Sequence, residues 1–442
     1  MKLNILIAAL AIPLFSCSTG SDKRTMVVVS PAHYHAALVQ KNPIDGVSET
    51  VEVYAPEGEE LEAYLNTVGD FNKRDGNPTR WVENLHVGDN CVESLKTANP
   101  GDFVVLACKN NLKADYILRA VEKGYNVLSD KPLAIDSESL GTLEEAYRLA
   151  EEKNLVILDL MTERHDILNI LVRDIISDKD LFGELKGVSM TSVHHFYKNV
   201  NGSILKRPQW YYDTSQQGEG IADVTTHLID LVFWQCFPNK AVGKENVKLI
   251  EASHYPTAVT LEQYRMSTGA DMFPGYLGKY IENDTLKVMS NGIIGFTADG
   301  IPMNIEVRWD FQAPEGSGDT FESTYDGSDA SIKIIQDQST DFRKTIVIDA
   351  AETKVKEIFD GLKRKYPSLT IEPFGESWKL DVDDTAKTGH EDHFSMVLAD
   401  FTEYLEGKEL PDWEKINTLT KYDLTAKSVS MALIKQSDNE KE

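Results

Sequence analysis

Cysteine is scarce in this 442-residue chain, which contains four. Cys17 belongs to the N-terminal apolar stretch. That leaves Cys91, Cys108 and Cys236, an odd number without paired spacing, so neither a disulfide framework nor a zinc ribbon is indicated and buried free thiols are expected. Basic residues are also in short supply. Forty-five Lys and Arg stand against 71 Asp and Glu, a formal net charge of −26, which repels nucleic acid and anionic membrane surfaces. The acidity is spread along the chain rather than gathered in a tail, as on a solvated surface. After residue 17 no apolar run approaches the ~20 residues of a membrane-spanning helix. Repeats and low-complexity segments are lacking as well. What remains, 41% hydrophobic and 26% charged, is ordinary globular material, and at ~150 residues per domain it suggests two or three domains.

Residues 1–25 read as a targeting segment and tether. Met1 and Lys2 form a short basic start, Leu3 to Phe15 an apolar run too short to remain as a spanning helix, and Leu14-Phe15-Ser16-Cys17 resembles a bacterial lipobox. In that reading Cys17 is lipidated and becomes the first residue, and the polar run Ser18 to Thr25 links lipid to domain. The expectation is an exported protein, lipid-anchored on the periplasmic or outer-membrane side. A simple secreted protein is the alternative.

Residues 26–160 alternate strands and helices. Thr25–Ser30, Val51–Ala55, Phe103–Ala107, Tyr125–Ser129 and Leu155–Asp159 are strand-like. Ala36–Gln40, Glu60–Val68, Lys113–Lys123 and Ser137–Lys153 are the intervening helices, so a doubly wound parallel sheet of the Rossmann type is expected. Ligands of such sheets lie beyond the carboxyl ends of the strands. The glycine fingerprint of a dinucleotide turn is missing there. In its place stands Ser30-Pro31-Ala32-His33-Tyr34-His35, where a small residue and a helix N-terminus remain. His33 and His35 could bind phosphate or metal, or serve as capping and packing groups. Cys108-Lys109-Asn110-Asn111 and Asp130-Lys131-Pro132 follow the third and fourth predicted strands and point into the same crevice. Glu57 and Glu59 follow the second, roughly where an acid would hold a ribose hydroxyl.

Residues 161–442 read as an α+β domain with a large, mainly antiparallel open sheet, since its strand-like segments have few helices between them. Within it, Gln217 to Trp234 carries the densest chemistry. A helix from Ile221 would place Asp223, His227 and Asp230 on one stripe, an imidazole between two carboxylates, suited to a general base or equally to a hydrogen-bonded histidine at a core edge. Upstream, Arg164, His194 and Trp210 sit among aromatics and bidentate hydrogen-bonding groups, as a sugar ring with apolar faces would require. His194 and His195 should point to opposite faces of a strand. His390 and His393 lie one helical turn apart without an evident third ligand, and no metal site is expected.

Two of these motifs carry a resemblance. Gly124-Tyr125-Asn126-Val127-Leu128-Ser129-Asp130-Lys131-Pro132, followed by Gly218-Glu219-Gly220, Asp223, His227 and Asp230, resembles the glucose-fructose oxidoreductase and inositol dehydrogenase (Gfo/Idh/MocA) family, and within it a branch of exported Bacteroidetes oxidoreductases. The resemblance implies Lys131, Asp223 and His227 as the catalytic set. With the strand-end turns and the polar and aromatic cluster described above, the expected cofactor contacts are Ser30, Ala32, His33, His35, Cys108, Asn110, Asn111, Asp130 and Lys131, and the expected substrate contacts are Arg164, His194, Trp210 and Asp230. Asp130 stands where the family has glutamate, and Lys113 where it usually has histidine. The implied protein is a homo-oligomer that uses a tightly bound NAD or NADP to oxidise a hydroxyl of a sugar, glycoside or polyol. The alternatives are a glycoside-cleaving enzyme that uses bound NAD transiently and a sugar-binding lipoprotein without catalysis.

Overall fold

Short strands, among them the four-residue apolar runs Met26–Val29 and Phe103–Leu106, build the first sheet of the computed structural model, which describes residues 23–200 and 203–439. Cys17 and its lipobox lie outside the described residues. Strands β1 (Met26–Val29), β2 (Thr50–Ala55), β3 (Val82–Val87), β4 (Phe103–Leu106), β5 (Asn126–Ser129) and β6 (Ile157–Asp159) pair in the order β3-β2-β1-β4-β5-β6, all parallel. Every residue of β1, β4 and β5 is buried, because helices cover both faces of such a sheet. Those helices include α1 (His35–Leu38), α2 (Glu59–Lys73), α3 (Asn110–Glu122) and α4 (Ser137–Lys153). β3 escapes sequence reasoning: it is an edge strand whose Val82, Leu85 and Val87 are exposed, so neither an apolar run nor a clean alternation marks it. Its pairing with β2 defines it.

The second domain opens with α5 (Ile167–Ser177) and α6 (Lys179–Phe182). The long strand β7 (Leu185–Tyr197) and the small hairpin β8 (Asn199–Val200) and β9 (Ser203–Ile204) follow. After α7 (Thr214–Gln217) and α8 (Thr225–Cys236) come β10 (Val247–Thr260), α9 (Leu261–Thr268), β11 (Ile281–Glu282), β12 (Thr285–Ala298), β13 (Ile301–Gln312), β14 (Thr320–Gly327), β15 (Ser331–Gln336) and β16 (Thr345–Asp349). The chain ends with α10 (Glu352–Lys363), β17 (Thr370–Phe374), β18 (Ser377–Asp381), α11 (His390–Leu405) and α12 (Asp412–Asn439). The sheet runs β10-β12-β13-β7-β14-β15-β16-β18-β17, with β11 beside β12. Only the β13–β7 pair among these is parallel, so the sheet is mainly antiparallel as expected. Leu228, Ile229, Leu231 and Val232 of α8 share one core with Met190, Ile294, Ile305 and Val307 of the sheet. No helix among the described residues is long and apolar enough to cross a membrane.

The last two helices return to the first domain. Phe394, Val397, Leu398 and Phe401 of α11 pack with Val28, Val51 and Phe103, while Tyr422 and Ala426 of α12 join Val27, Val104 and Leu140. A buried ionic network accompanies them. Lys421, fully buried, donates to Asp159 at the end of β6 (2.8 Å) and to Asp230 of α8 (3.1 Å). Arg164 holds Asp230 in a bidentate pair (2.7 and 2.7 Å) and reaches Glu414 of α12 (2.7 Å). Removing one partner of such a network leaves buried charge uncompensated, so Lys421→Met should lower stability by about 3–5 kcal/mol. Lys427→Ala, which removes an exposed pair on the same helix, should cost no more than about 1 kcal/mol. Denaturant midpoints of the two variants check the contrast.

Candidate active site

The turn after β1 replaces glycine with internal bonding. Ser30 takes a left-handed φ of 48° and its amide donates to the Tyr54 carbonyl. The amides of Ala32 and His33 both donate to Ala107 O, at 3.1 and 2.9 Å. Two N–H groups near the usual phosphate position are thereby committed inside the protein. The side chains gather on Asp130: His35 Nδ1 hydrogen-bonds its Oδ2 at 3.0 Å, and His33 Nδ1 lies 3.3 Å from the same oxygen. Although burial opposes it, these imidazoles and the Lys113 ammonium hold the Asp130 carboxyl well below the usual carboxylate range.

Lys113 is fully buried and donates to Asn110 Oδ1 (2.9 Å) and to the carbonyl of Lys131 (3.2 Å). It therefore supports the backbone of Lys131. Asn110 in turn donates to the carbonyl and side chain of Gln217 (2.7 and 3.2 Å), linking the two domains, whereas Asn111 is exposed. Cys108 is buried, and burial pushes its thiol up to about 11, so it is no thiolate at neutral pH.

Lys131 Nζ meets Asp223 Oδ1 at 2.5 Å, and Gln217 Nε2 takes Asp223 Oδ2 at 3.0 Å. The expected helix from Ile221 is not formed: residues 221–224 are turns and α8 starts at Thr225. Gly220 explains the delay. Its amide donates to Met289 O of β12, and a Cβ there would lie 1.9 Å from Ser290 O, so the chain is held against the strand here and α8 follows only after a run of turns. The expected stripe is corrected at its first member: His227 and Asp230 lie three residues apart within α8, whereas Asp223 precedes it. Asp223 pairs with Lys131 and Asp230 with Arg164 and Lys421, and neither hydrogen-bonds the imidazole, although the Asp230 charge still acts on it. His227 is half-buried, its Nδ1 is enclosed without a hydrogen-bond partner, and burial followed by the Lys131 charge lowers its pKa to about 3. Glu163 is the strongest charge acting the other way.

Glu163 stands in the polar stretch Thr162-Glu163-Arg164, but nothing in the sequence identifies its partners. It sits after β6, its Oε2 paired with Lys344 (2.7 Å) and its Oε1 3.7 Å from His390. Three segments far apart in sequence meet there, and no local motif announces them. His390 and His393 do not share a ligand position, since His393 Nε2 bonds Thr388 Oγ1 at 2.9 Å.

A cleft of about 440 Å³ opens between the domains, within the size range of small-molecule sites. Ala32, His33 and Tyr34 wall it on one side, Glu59 and Glu60 of α2 on a second, and Arg207 to Tyr211 on a third. Trp210 is buried with its Nε1 unpartnered. The Arg207 guanidinium lies over Tyr211 and Trp309 and donates to the carbonyls of His195 and Phe196. His194 stacks on Trp309 and bonds Ser192, while His195 bonds Asp319 at 2.8 Å. Although neighbours on a strand, both histidines approach Asp319, His194 at 3.6 Å. Of the expected substrate residues, Trp210 lines the cleft, His194 belongs to the Asp319 cluster, and Arg164 and Asp230 are saturated by the buried network. The cleft adjoins Lys131 through His33 and Asp130.

This cleft lies where the strand order reverses beside β1, the position of a dinucleotide in doubly wound sheets. Glu59 and Glu60 fit a ribose, and Lys109 and Arg207 on its wall fit a diphosphate in place of the missing glycines. The comparisons agree. Residues 32–159 match the family model described as "Oxidoreductase family, NAD-binding Rossmann fold". Residues 171–433 match "Putative oxidoreductase C terminal domain". A Parabacteroides merdae protein described as a "putative oxidoreductase" is 37% identical and superposes with a TM-score of 0.90 over 93% of this chain and 98% of its own. A 3-ketoreductase from Actinomadura kijaniata, solved with NADP and TDP-benzene, shares the fold at 13% identity and a TM-score of 0.57, covering 93% of this chain and 98% of its own. A "putative myo-inositol dehydrogenase" from Sinorhizobium meliloti does so at 14% and 0.53, with the same coverage. No curated protein matches the chain. The two matched domains, the shared fold and the 37% identity over nearly the whole length establish that this chain belongs to the Gfo/Idh/MocA family of NAD(P)-binding oxidoreductases.

Proposed function

We propose that the protein oxidises a hydroxyl of a sugar, glycoside or polyol, using NAD or NADP. The observation that carries this reading is the Lys131–Asp223 pair beside the neutral, half-buried His227, next to a cleft walled by Trp210 and Tyr211 and linked to it through His33, which lines the cleft and stands 3.3 Å from Asp130. Aromatic walls suit the apolar faces of a sugar ring. The bound nicotinamide supplies the hydride acceptor. Lys131 holds the substrate oxygen and stabilises the alkoxide as it develops, and His227 takes the hydroxyl proton. Asp223 and Gln217 keep the ammonium in place, and the Glu163 charge favours the imidazolium once it has formed. The reading extends to a dinucleotide retained between turnovers and to a chain exported and anchored through Cys17. It also includes a homo-oligomer formed through the outer face of the large sheet, where Tyr255 and Ile293 are exposed.

Lys131→Ala and His227→Ala should each lower turnover by about 10²-fold or more. Dinucleotide binding, read as energy transfer from tryptophan to NADH, should persist. Full activity of both variants on a substrate that the native enzyme oxidises would overturn the assignment. Release of aglycone from a glycoside without any electron acceptor would move the reaction to glycoside cleavage.

The pH profile is a separate test. Because His227 titrates at about 3 rather than at its ordinary 6.5, the base stays unprotonated on acidification, and kcat/KM should show no break near 6.5 as pH falls from 8 to 5. A wild-type acid limb centred near pH 6.5 would assign the base elsewhere.

A further inference from the structure

We propose that His33, His35 and Asp130 form a site for a divalent transition metal of the zinc class, at the carboxyl end of β1, with an open coordination position on the His33 side facing the interdomain cleft. This site does not depend on the sugar reading, and it departs from the expectation of no metal.

Geometry comes first. The three ligating atoms lie within 4.8 Å of one another, the only such group of three among the described residues. Around a tetrahedral ion with Zn–N and Zn–O bonds of about 2.0–2.1 Å, neighbouring ligand atoms stand roughly 3.3 Å apart. Here Asp130 Oδ2 is 3.3 Å from His33 Nδ1 and 3.0 Å from His35 Nδ1, and the two rings stand nearly perpendicular, centroids 4.0 Å apart.

Satisfaction is the second argument. Two imidazole nitrogens converge on one carboxylate oxygen, and only His35 obtains an aligned hydrogen bond. His33 Nδ1 is buried within 3.3 Å of the same atom and has no hydrogen-bond partner. A buried nitrogen left in that state is costly, and one cation bound by all three atoms would satisfy it.

The donor set selects the ion. Two imidazoles and one carboxylate suit zinc and its first-row neighbours rather than magnesium or calcium, and three protein ligands with a fourth position open is the pattern of reactive zinc centres. Burial closes the other directions: the side chains of His35 and Asp130 are 10% and 6% exposed, whereas His33, at 19%, lines the cleft. Phe394 packs on the His35 ring and fixes its orientation. The opposing group is Lys113, whose charge acts on Asp130, but its ammonium is turned to Asn110 and the Lys131 carbonyl. A cation here would also place positive charge on a cleft wall where the amides of Ala32 and His33 are already committed to Ala107.

The test uses the full-length protein, stripped with a chelator, dialysed, and incubated with zinc chloride or, in parallel, magnesium chloride. Metal content after desalting is measured by plasma mass spectrometry. Wild type should retain about one zinc per chain and no magnesium, and cobalt(II) should give visible d–d bands of a four-coordinate N/O site. His33→Gln, which alters the cleft-facing ligand and leaves the buried His35–Asp130 bond intact, should stay folded by circular dichroism and lose the zinc. His390→Gln should keep it. Absence of retained zinc in the wild type would overturn the proposal, as would equal retention by folded His33→Gln.

Discussion

Asp230 is pinned between Arg164 and Lys421, and that buried arrangement fixes the geometry on which the site depends. Arg164 follows β6, Asp230 belongs to α8, and Lys421 to α12, so one carboxylate joins the edge of the first sheet, the central helix and the C-terminal return of the chain. Asp159 at the end of β6 shares the same lysine and also accepts from Tyr422. Buried ion pairs add little net stability compared with apolar packing, but their directional bonds disfavour any shifted arrangement. With α8 locked to β6, His227 is held at a set position relative to Lys131, which stands at the end of the neighbouring strand β5.

Competition for carboxylates separates Lys131 from His227. Asp223 serves Lys131 and Gln217, Asp230 serves the network, and the imidazole of His227 keeps an enclosed, unpartnered nitrogen. An imidazole in that position is driven to its neutral form by burial and by the nearby ammonium. This division of charge, a cation held in place beside an unprotonated base, matches the demands of the proposed proton transfer without requiring either group to change state before substrate arrives.

The cofactor side is built differently from a glycine turn. A glycine fingerprint lets the backbone approach a diphosphate and offers free amides. Here the first turn spends two amides on Ala107 O, takes a left-handed residue at Ser30, and carries histidines directed at Asp130. α1 is a single turn, too short to supply much of a helix dipole. Charge for an anionic ligand must therefore come from side chains on the cleft wall, such as Lys109 and Arg207, the latter donated by the second domain.

Much of the fold was legible in the chain itself. The apolar runs of β1, β4 and β5 declared a parallel sheet because strands buried on both faces leave no room for polar alternation, and Ser137–Lys153 was readable as a helix to the residue because Asp136 caps it and Asn154 ends it in a left-handed turn. The spacing of Asp130, Lys131, Asp223 and His227 identified the family. Tertiary structure decided the rest. Local periodicity predicted a helix through Asp223, yet Gly220 is pressed against Ser290 O and α8 begins only at Thr225, which leaves Asp223 outside it. Which carboxylate pairs with which cation was likewise settled by distant segments: Lys421 for Asp230 and Asp159, Lys344 and His390 for Glu163. Sequence spacing specifies neighbours only along one element, whereas ion pairing is set by whatever the fold brings within a few ångströms.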